Sequence, residues 1–310
     1  MSNPFEAAAP PRLTAPPPPA GLDIFEREAA DDLQAVFGRR APQVLQRLAL
    51  LMFTPDSIVS HRVRRGLEHL AAAQFQPLAV GRSRLEPVRI REMWRAALDL
   101  EASPQALERL AICDALMGHT DSLVVLLWDA AAAGGQTGAG RLSALKGSGE
   151  PALRSPGSLR SVMGAPDTVF RLVHTSDTPR DLLRELAILL PAATRRSFLE
   201  AAETRLPLAS NAVVEAARAL APDLAARSFA NLRIACGVRA HVNARLAAGV
   251  GERAAPLRWL QSALDQVLER RRPISVRRVF RALDEAGLEL APWDRILLGA
   301  RAFCPARHDA

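Results

Sequence analysis

Two short apolar runs constrain this chain most: LQRLALLMF at residues 45–53 and SLVVLLWD at 122–129. An apolar run of that length, bounded by a turn signal such as TPDS at 54–57, reads as a strand with buried side chains. FQPLAVGRSRL (75–85) alternates enough for a third strand, and DTVFRLVH (167–174) reads as a fourth. DIFEREAADDLQAVFG (23–38), SHRVRRGLEHLAAA (60–73), EPVRIREMWRAALDL (86–100) and SPQALERLAICDALMG (103–118) read as helices. Pro87 and Pro104 fall in first turns, where proline is tolerated. Residues 130–160 are Gly-rich and end in a long loop, and TPRDLLRELAILLP (178–191) reads as a helix capped by Asp177 or Thr178. This order suits an antiparallel sheet covered by helices on one face.

Beyond Pro191 the pattern changes. Residues 192–310 carry only helical periods punctuated by Pro or Gly, which predicts an all-α C-terminal domain after a domain spanning 21–191. Residues 1–20, with APPRLTAPPPPAG, predict a disordered Pro-rich tail, because proline fixes φ and gives up its N–H. With 310 residues, 49% of them apolar, the chain can bury a sizeable core, and its Ala, Arg and Leu richness favours helix. A net charge of +7 from 40 Lys and Arg allows an anionic partner, but nucleic acid is not expected on charge alone. No apolar run reaches membrane-spanning length and the N-terminus does not resemble a secretory leader. Cys113, Cys236 and Cys304 lie far apart, which predicts neither disulfides nor a metal cluster and fits a cytoplasmic setting.

One stretch carries chemistry. RLVHTSDTPRDLLRELAILL (171–190) places one of only six histidines after an apolar run, then Ser-Asp, then a helix bearing a glutamate. Upstream lie FTPDS (53–57), HTDSLVVLLWD (119–129) and SPGSLR (155–160). In order and short-range spacing these segments resemble the nucleoside diphosphate kinases, with their K-P-D turn, S-G-P-V-V-A-M-V-W-E strand, P-G-T-I-R loop, N-V-I-H-G-S-D motif and R-E-I-A-L helix. The resemblance covers about residues 45–191, half the chain. It implies an α+β fold with a ferredoxin-like antiparallel sheet, a homo-oligomer, and ping-pong transfer of a γ-phosphate through a phosphohistidine. Nucleoside tri- and diphosphates would be the substrates, with Mg²⁺ accompanying ATP or another NTP. His174 would be the nucleophile, Glu185 its orienting partner, and Ser176 a hydrogen-bonding neighbour. Arg160 would neutralise phosphate oxygens.

The departures fall on the nucleotide grip. Thr54 stands where the K-P-D lysine contacts the transferring phosphate, and Arg171 replaces an asparagine that helps hold the nucleotide. Trp94 takes the place of a helix tyrosine, and the family's second phosphate arginine falls on Ser143, with Arg141 or Lys146 as nearby substitutes. Two readings follow: an active phosphotransferase with altered grip and acceptor, or a catalytically weak nucleotide-binding or protein-interaction module. The C-terminal helices are the expected place for a protein partner. Residues 134–150 lack the G-x-x-x-x-G-K-[ST] pattern of a P-loop. His61 and His69 lie eight apart on a helix with Arg62, Arg64 and Arg65 between them, which reads as a solvated basic face and not as a metal site. The basic segment 269–290 reads as an amphipathic helix with a charged outer face, and Trp259 and Trp293 as packing anchors.

Overall fold

The computed structural model describes residue 21 and residues 23–100, 104–221, 225–249, 251–269 and 272–304; the expected Pro-rich tail at 1–20 lies outside them. Strands β1 (Leu48–Phe53), β2 (Phe75–Ser83), β3 (Ser122–Asp129) and β4 (Val173–Thr175) form one sheet in the order β2-β3-β1-β4. Every pairing is antiparallel, so the fold is α+β with a ferredoxin-like sheet, followed by a helical C-terminal region.

The apolar runs lie at the sheet's centre. Leu48, Leu50 and Met52 of β1 face one core, while Ala49, Leu51 and Phe53 face another. β3 divides likewise, with Val124 and Leu126 on the first side and Leu123, Val125 and Leu127 on the second. A strand buried on both faces has no reason to alternate with polar residues. The expectation of helices on one face is therefore corrected. Helices Ile24–Phe37 and Pro179–Leu189 cover the first side, and Val63–Ala72 and Gly138–Lys146 the second.

Three local expectations also change. The Gly-rich segment is not all loop: Thr137 caps the Gly138–Lys146 helix by accepting from the amide of Gly140 at 3.0 Å. A Cβ on Gly138 would lie 2.7 Å from the carbonyl oxygen of Arg47, so glycine is what lets this helix approach the start of β1. Tertiary packing of Ala139 and Leu142 outweighs its weak propensity. The strand expected at 167–174 shrinks to Val173–Thr175. Asp167 Oδ1 takes the amides of Val169 and Phe170, both at 2.6 Å, and so turns the chain. Leu172 then has φ of +65°, which ends any extended run. The 86–100 helix is broken at Trp94 into Pro87–Met93 and Arg95–Leu100.

The expected boundary at Pro191 does not separate cores. Helix Ala192–Thr204 packs Phe198, Leu199 and Ala202 into the first core, and Ser210–Arg218 packs Val213, Val214 and Ala217 into the second. A third core forms among helices Asn231–Ala247, Ala254–Leu268, Val276–Ala286 and Pro292–Phe303. It takes in Ile112 from helix Pro104–Met117. Trp293 acts as an anchor, its ring tilted against that of Phe170 with centroids 5.6 Å apart, in a small cluster with Val59 and Leu116. Arg278 covers the ring of Trp259 at 4.4 Å. Among the described residues no helix is long and apolar enough to cross a membrane.

Candidate active site

His174 is the middle residue of β4, paired with Met52 of β1. The chain then turns through Ser176 and Asp177 and starts the Pro179–Leu189 helix. Thr178 is its cap, accepting from the amide of Asp181 at 3.1 Å. Two turns into that helix Glu185 comes back beside the histidine. Glu185 Oε1 lies 2.9 Å from His174 Nε2, and Ser176 donates its hydroxyl to Glu185 Oε2 at 2.6 Å. All three expected groups thus meet in one chain of hydrogen bonds. An ionised carboxylate only accepts, so a neutral imidazole bound to it carries its proton on Nε2 and keeps a lone pair on Nδ1.

The neighbouring Arg184 braces this helix. Its Nε reaches Asp23 at 2.9 Å, and an Nη donates to the carbonyl of Glu92 at 2.8 Å. That second bond fixes the end of Pro87–Met93, next to Trp94. The Trp94 ring meets His174 edge-on, with centroids 5.6 Å apart and planes at 90°.

His174 and Trp94 line a cleft of about 480 Å³ together with Thr54, Arg160 and Arg171. Arg160 is only 6% exposed. Its two Nη atoms donate to the carbonyls of Gly147 at 2.8 Å and Val173 at 3.0 Å, while its Nε has no hydrogen-bond partner among the described residues. Burial, with Arg171 and Arg154 nearby, pushes its pKa down to about 10. Such a guanidinium gains from an anion in the cleft. Arg171 donates its Nε to the carbonyl of Thr168 at 2.9 Å.

Arg141 is not part of this cleft, which corrects its assignment as a phosphate contact. Its Nε binds Asp129 at 2.6 Å, an Nη reaches the carbonyl of Ala73 at 2.8 Å, and its guanidinium lies over the Phe75 ring. Asp129 is fully buried at the end of β3 and requires that cation. Lys146 and Ser143 both bind Asp177, the former at 2.8 Å, so Asp177 joins two elements instead of capping the helix.

Among the cleft residues that sequence reasoning missed are Asp56, Arg109, Cys113 and Thr168. Asp56 is fully buried and accepts the amide of Leu172 at 2.9 Å, while the Leu172 carbonyl takes the amide of Thr54 at 3.1 Å. These bonds stitch the TPDS segment to the residues before His174 and hold Leu172 at its positive φ. Burial raises the Asp56 carboxyl to about 6. Arg109 and Cys113 are four apart on helix Pro104–Met117, a spacing that could have placed them on one face. Burial pushes the Cys113 thiol up to about 11.

Among the described residues, no group of three His, Cys, Asp or Glu side chains could hold a metal by itself. Mg²⁺ commonly keeps several waters and binds through one or two carboxylates and substrate phosphates. Asp56 is a carboxylate in the cleft lining, and its side chain is fully buried.

No protein-family model matches the sequence, and no curated protein matches it either. Among solved structures, an NDP kinase from Pyrobaculum aerophilum is similar over 47% of this chain and 96% of that one, at 17% identity and a TM-score of 0.37.

Proposed function

We propose that this chain is an NTP-dependent phosphotransferase that carries a phosphoryl group on His174. The observation that supports this best is the His174–Glu185–Ser176 chain of hydrogen bonds behind a cleft lined by a buried, cation-crowded Arg160. Nδ1 of His174 attacks the γ-phosphorus, and the bond to the departing nucleoside diphosphate oxygen breaks. Glu185 keeps the Nε2 proton in place and stabilises the positive charge that develops on the ring. An acceptor oxygen then attacks the same phosphorus, the N–P bond breaks, and the imidazole is restored. Arg160 neutralises phosphate oxygens, and Mg²⁺ bound with the nucleotide supplies further charge compensation. Arg171 stands where it offers a second cation, in a site whose Thr54 carries none.

A second reading, a nucleotide-binding module without turnover, draws on a specific feature. The Nη atoms of Arg160 and the Nε of Arg171 are already given to backbone carbonyls, which leaves fewer donors for a transition state. The helices beyond residue 221, with their own core, would then carry partner contacts.

Incubation with γ-labelled ATP or GTP and Mg²⁺ separates the readings. Phosphotransfer predicts an acid-labile, base-stable label that His174→Ala abolishes without unfolding the chain. Nucleotide binding without any such label supports the second reading and rejects the first.

A further inference from the structure

Helix Pro104–Met117 serves two parts of the molecule. Arg109, Cys113 and Met117 line the cleft beside His174. Ile112, 1% exposed, is embedded in the C-terminal core. Between these roles sits Glu108. Its Oε1 accepts from the Ser275 hydroxyl and from Arg277 Nε, both at 3.0 Å, and its Oε2 accepts from the backbone amide of Arg277 at 3.1 Å. That amide is in the first turn of helix Val276–Ala286, where backbone N–H groups have no partner within the helix. A carboxylate 167 residues away in sequence from Ser275 thus completes the start of a C-terminal helix. Despite partial burial, these donors hold the Glu108 carboxyl below its ordinary range.

Other contacts reach the same region. Arg109 lies 5.8 Å from the centre of the Phe303 ring. Thr168, which also lines the cleft, has its hydroxyl 3.8 Å from the Cys304 sulfur. The end of helix Pro292–Phe303 therefore touches the cleft lining from two sides.

We propose that the C-terminal helices set the position of this cleft wall, with Glu108 as the positioning residue that couples them to ligand grip at His174. The idea rests on the reading of the cleft as the phosphoryl-donor site. Loss of the Glu108 clasp removes three hydrogen bonds to a charged acceptor and lets helix Pro104–Met117 swing from the cleft. Donor affinity falls, while the reacting groups on β4 and helix Pro179–Leu189 stay in place.

Cys113 offers a readout that needs no catalysis. Half-buried in the cleft wall and with its pKa raised, this thiol reacts slowly until the wall moves. In the full chain, N-ethylmaleimide modification of Cys113 is followed by peptide mass spectrometry, which separates it from Cys236 and Cys304. Glu108→Ala should speed modification of Cys113 roughly tenfold, and raise the ATP concentration for half-maximal His174 labelling by a similar factor. The labelling rate at saturating ATP should stay within about twofold. Glu108→Arg combined with Arg277→Glu, which restores the ion pair, should recover part of both effects. Where Glu108→Ala fails to fold, Arg277→Ala removes one side-chain bond to Glu108 and should move both readouts in the same direction. An unchanged Cys113 rate, or a faster one with unchanged half-saturation, overturns the proposal. Faster Cys113 modification in a protein whose His174 never takes label supports the clasp and rejects the phosphotransfer reading instead.

Discussion

At the residue scale, the pairing of His174 with Glu185 was legible through the resemblance to the nucleoside diphosphate kinases, whose His-to-Glu spacing these two residues keep. Eleven residues of strand, turn and helix return the carboxylate to the ring, with Nε2 and Oε1 at 2.9 Å. Arg141 was misread because proximity in sequence could not show that buried Asp129 claims it. Asp56 was overlooked because its role depends on a backbone amide 116 positions away. Two predictions follow from these contacts. Glu185→Gln turns an acceptor-only partner into one that can also donate, which frees the ring to place its proton on Nδ1. His174 labelling should fall about a hundredfold or more with the fold retained, as seen in labelling rate and circular dichroism. An unchanged rate would remove Glu185 from the mechanism. Asp56, whose carboxyl is raised from 3.8 to about 6, makes the folded chain bind its proton more tightly than the unfolded chain. Its ionisation costs stability above pH 6, by about 3 kcal/mol, and the cost is relieved as pH falls from 6 towards 4. Asp56→Asn should therefore gain stability relative to the parent at neutral pH and lose that advantage near pH 4, as read from urea midpoints. The same difference at both pH values would contradict it.

At the element scale, the central strands were readable because residues buried on both faces leave an unbroken apolar run. The Gly138–Lys146 helix was not, since its glycines argue for a loop until the backbone they approach is known. β4 was read too long for a related reason: neither the Asp167 turn nor the φ of Leu172 shows in a hydrophobicity pattern. The break at Trp94 was equally hidden, yet it places that ring against His174. Gly147 marks where such backbone detail reaches the site. Its φ is +80°, a Cβ there would collide with that of Ser158, and its carbonyl holds Arg160. Gly147→Ala should destabilise the chain by about 2 kcal/mol and also slow labelling, because the Arg160 guanidinium loses its seat. Denaturation and labelling measured on the same preparation check both parts, and a stable, fully active variant would show that this loop is not constrained.

At the scale of the whole molecule, the change to purely helical sequence at Pro191 was read as a domain boundary, but packing does not follow it. Phe198 and Leu199 close one face of the sheet, and Val213 and Val214 belong to the core on the other. A fragment ending at residue 191 should expose both faces and show no cooperative unfolding transition in urea, whereas a sharp transition would restore the earlier boundary. Periodicity identified the helices after 191 as helices, but it carries no information about which neighbour buries each apolar face. The central claim is more local: Glu185 holds one ring nitrogen of His174 so that the other receives phosphate. The most direct measurement is NMR of the ¹⁵N-histidine-labelled full chain after reaction with ATP and Mg²⁺, which shows which ring nitrogen bonds to phosphorus. The account predicts phosphorus on Nδ1 of His174, with the Nε2 proton retained. Phosphorus on Nε2, on another histidine, or on none would contradict it.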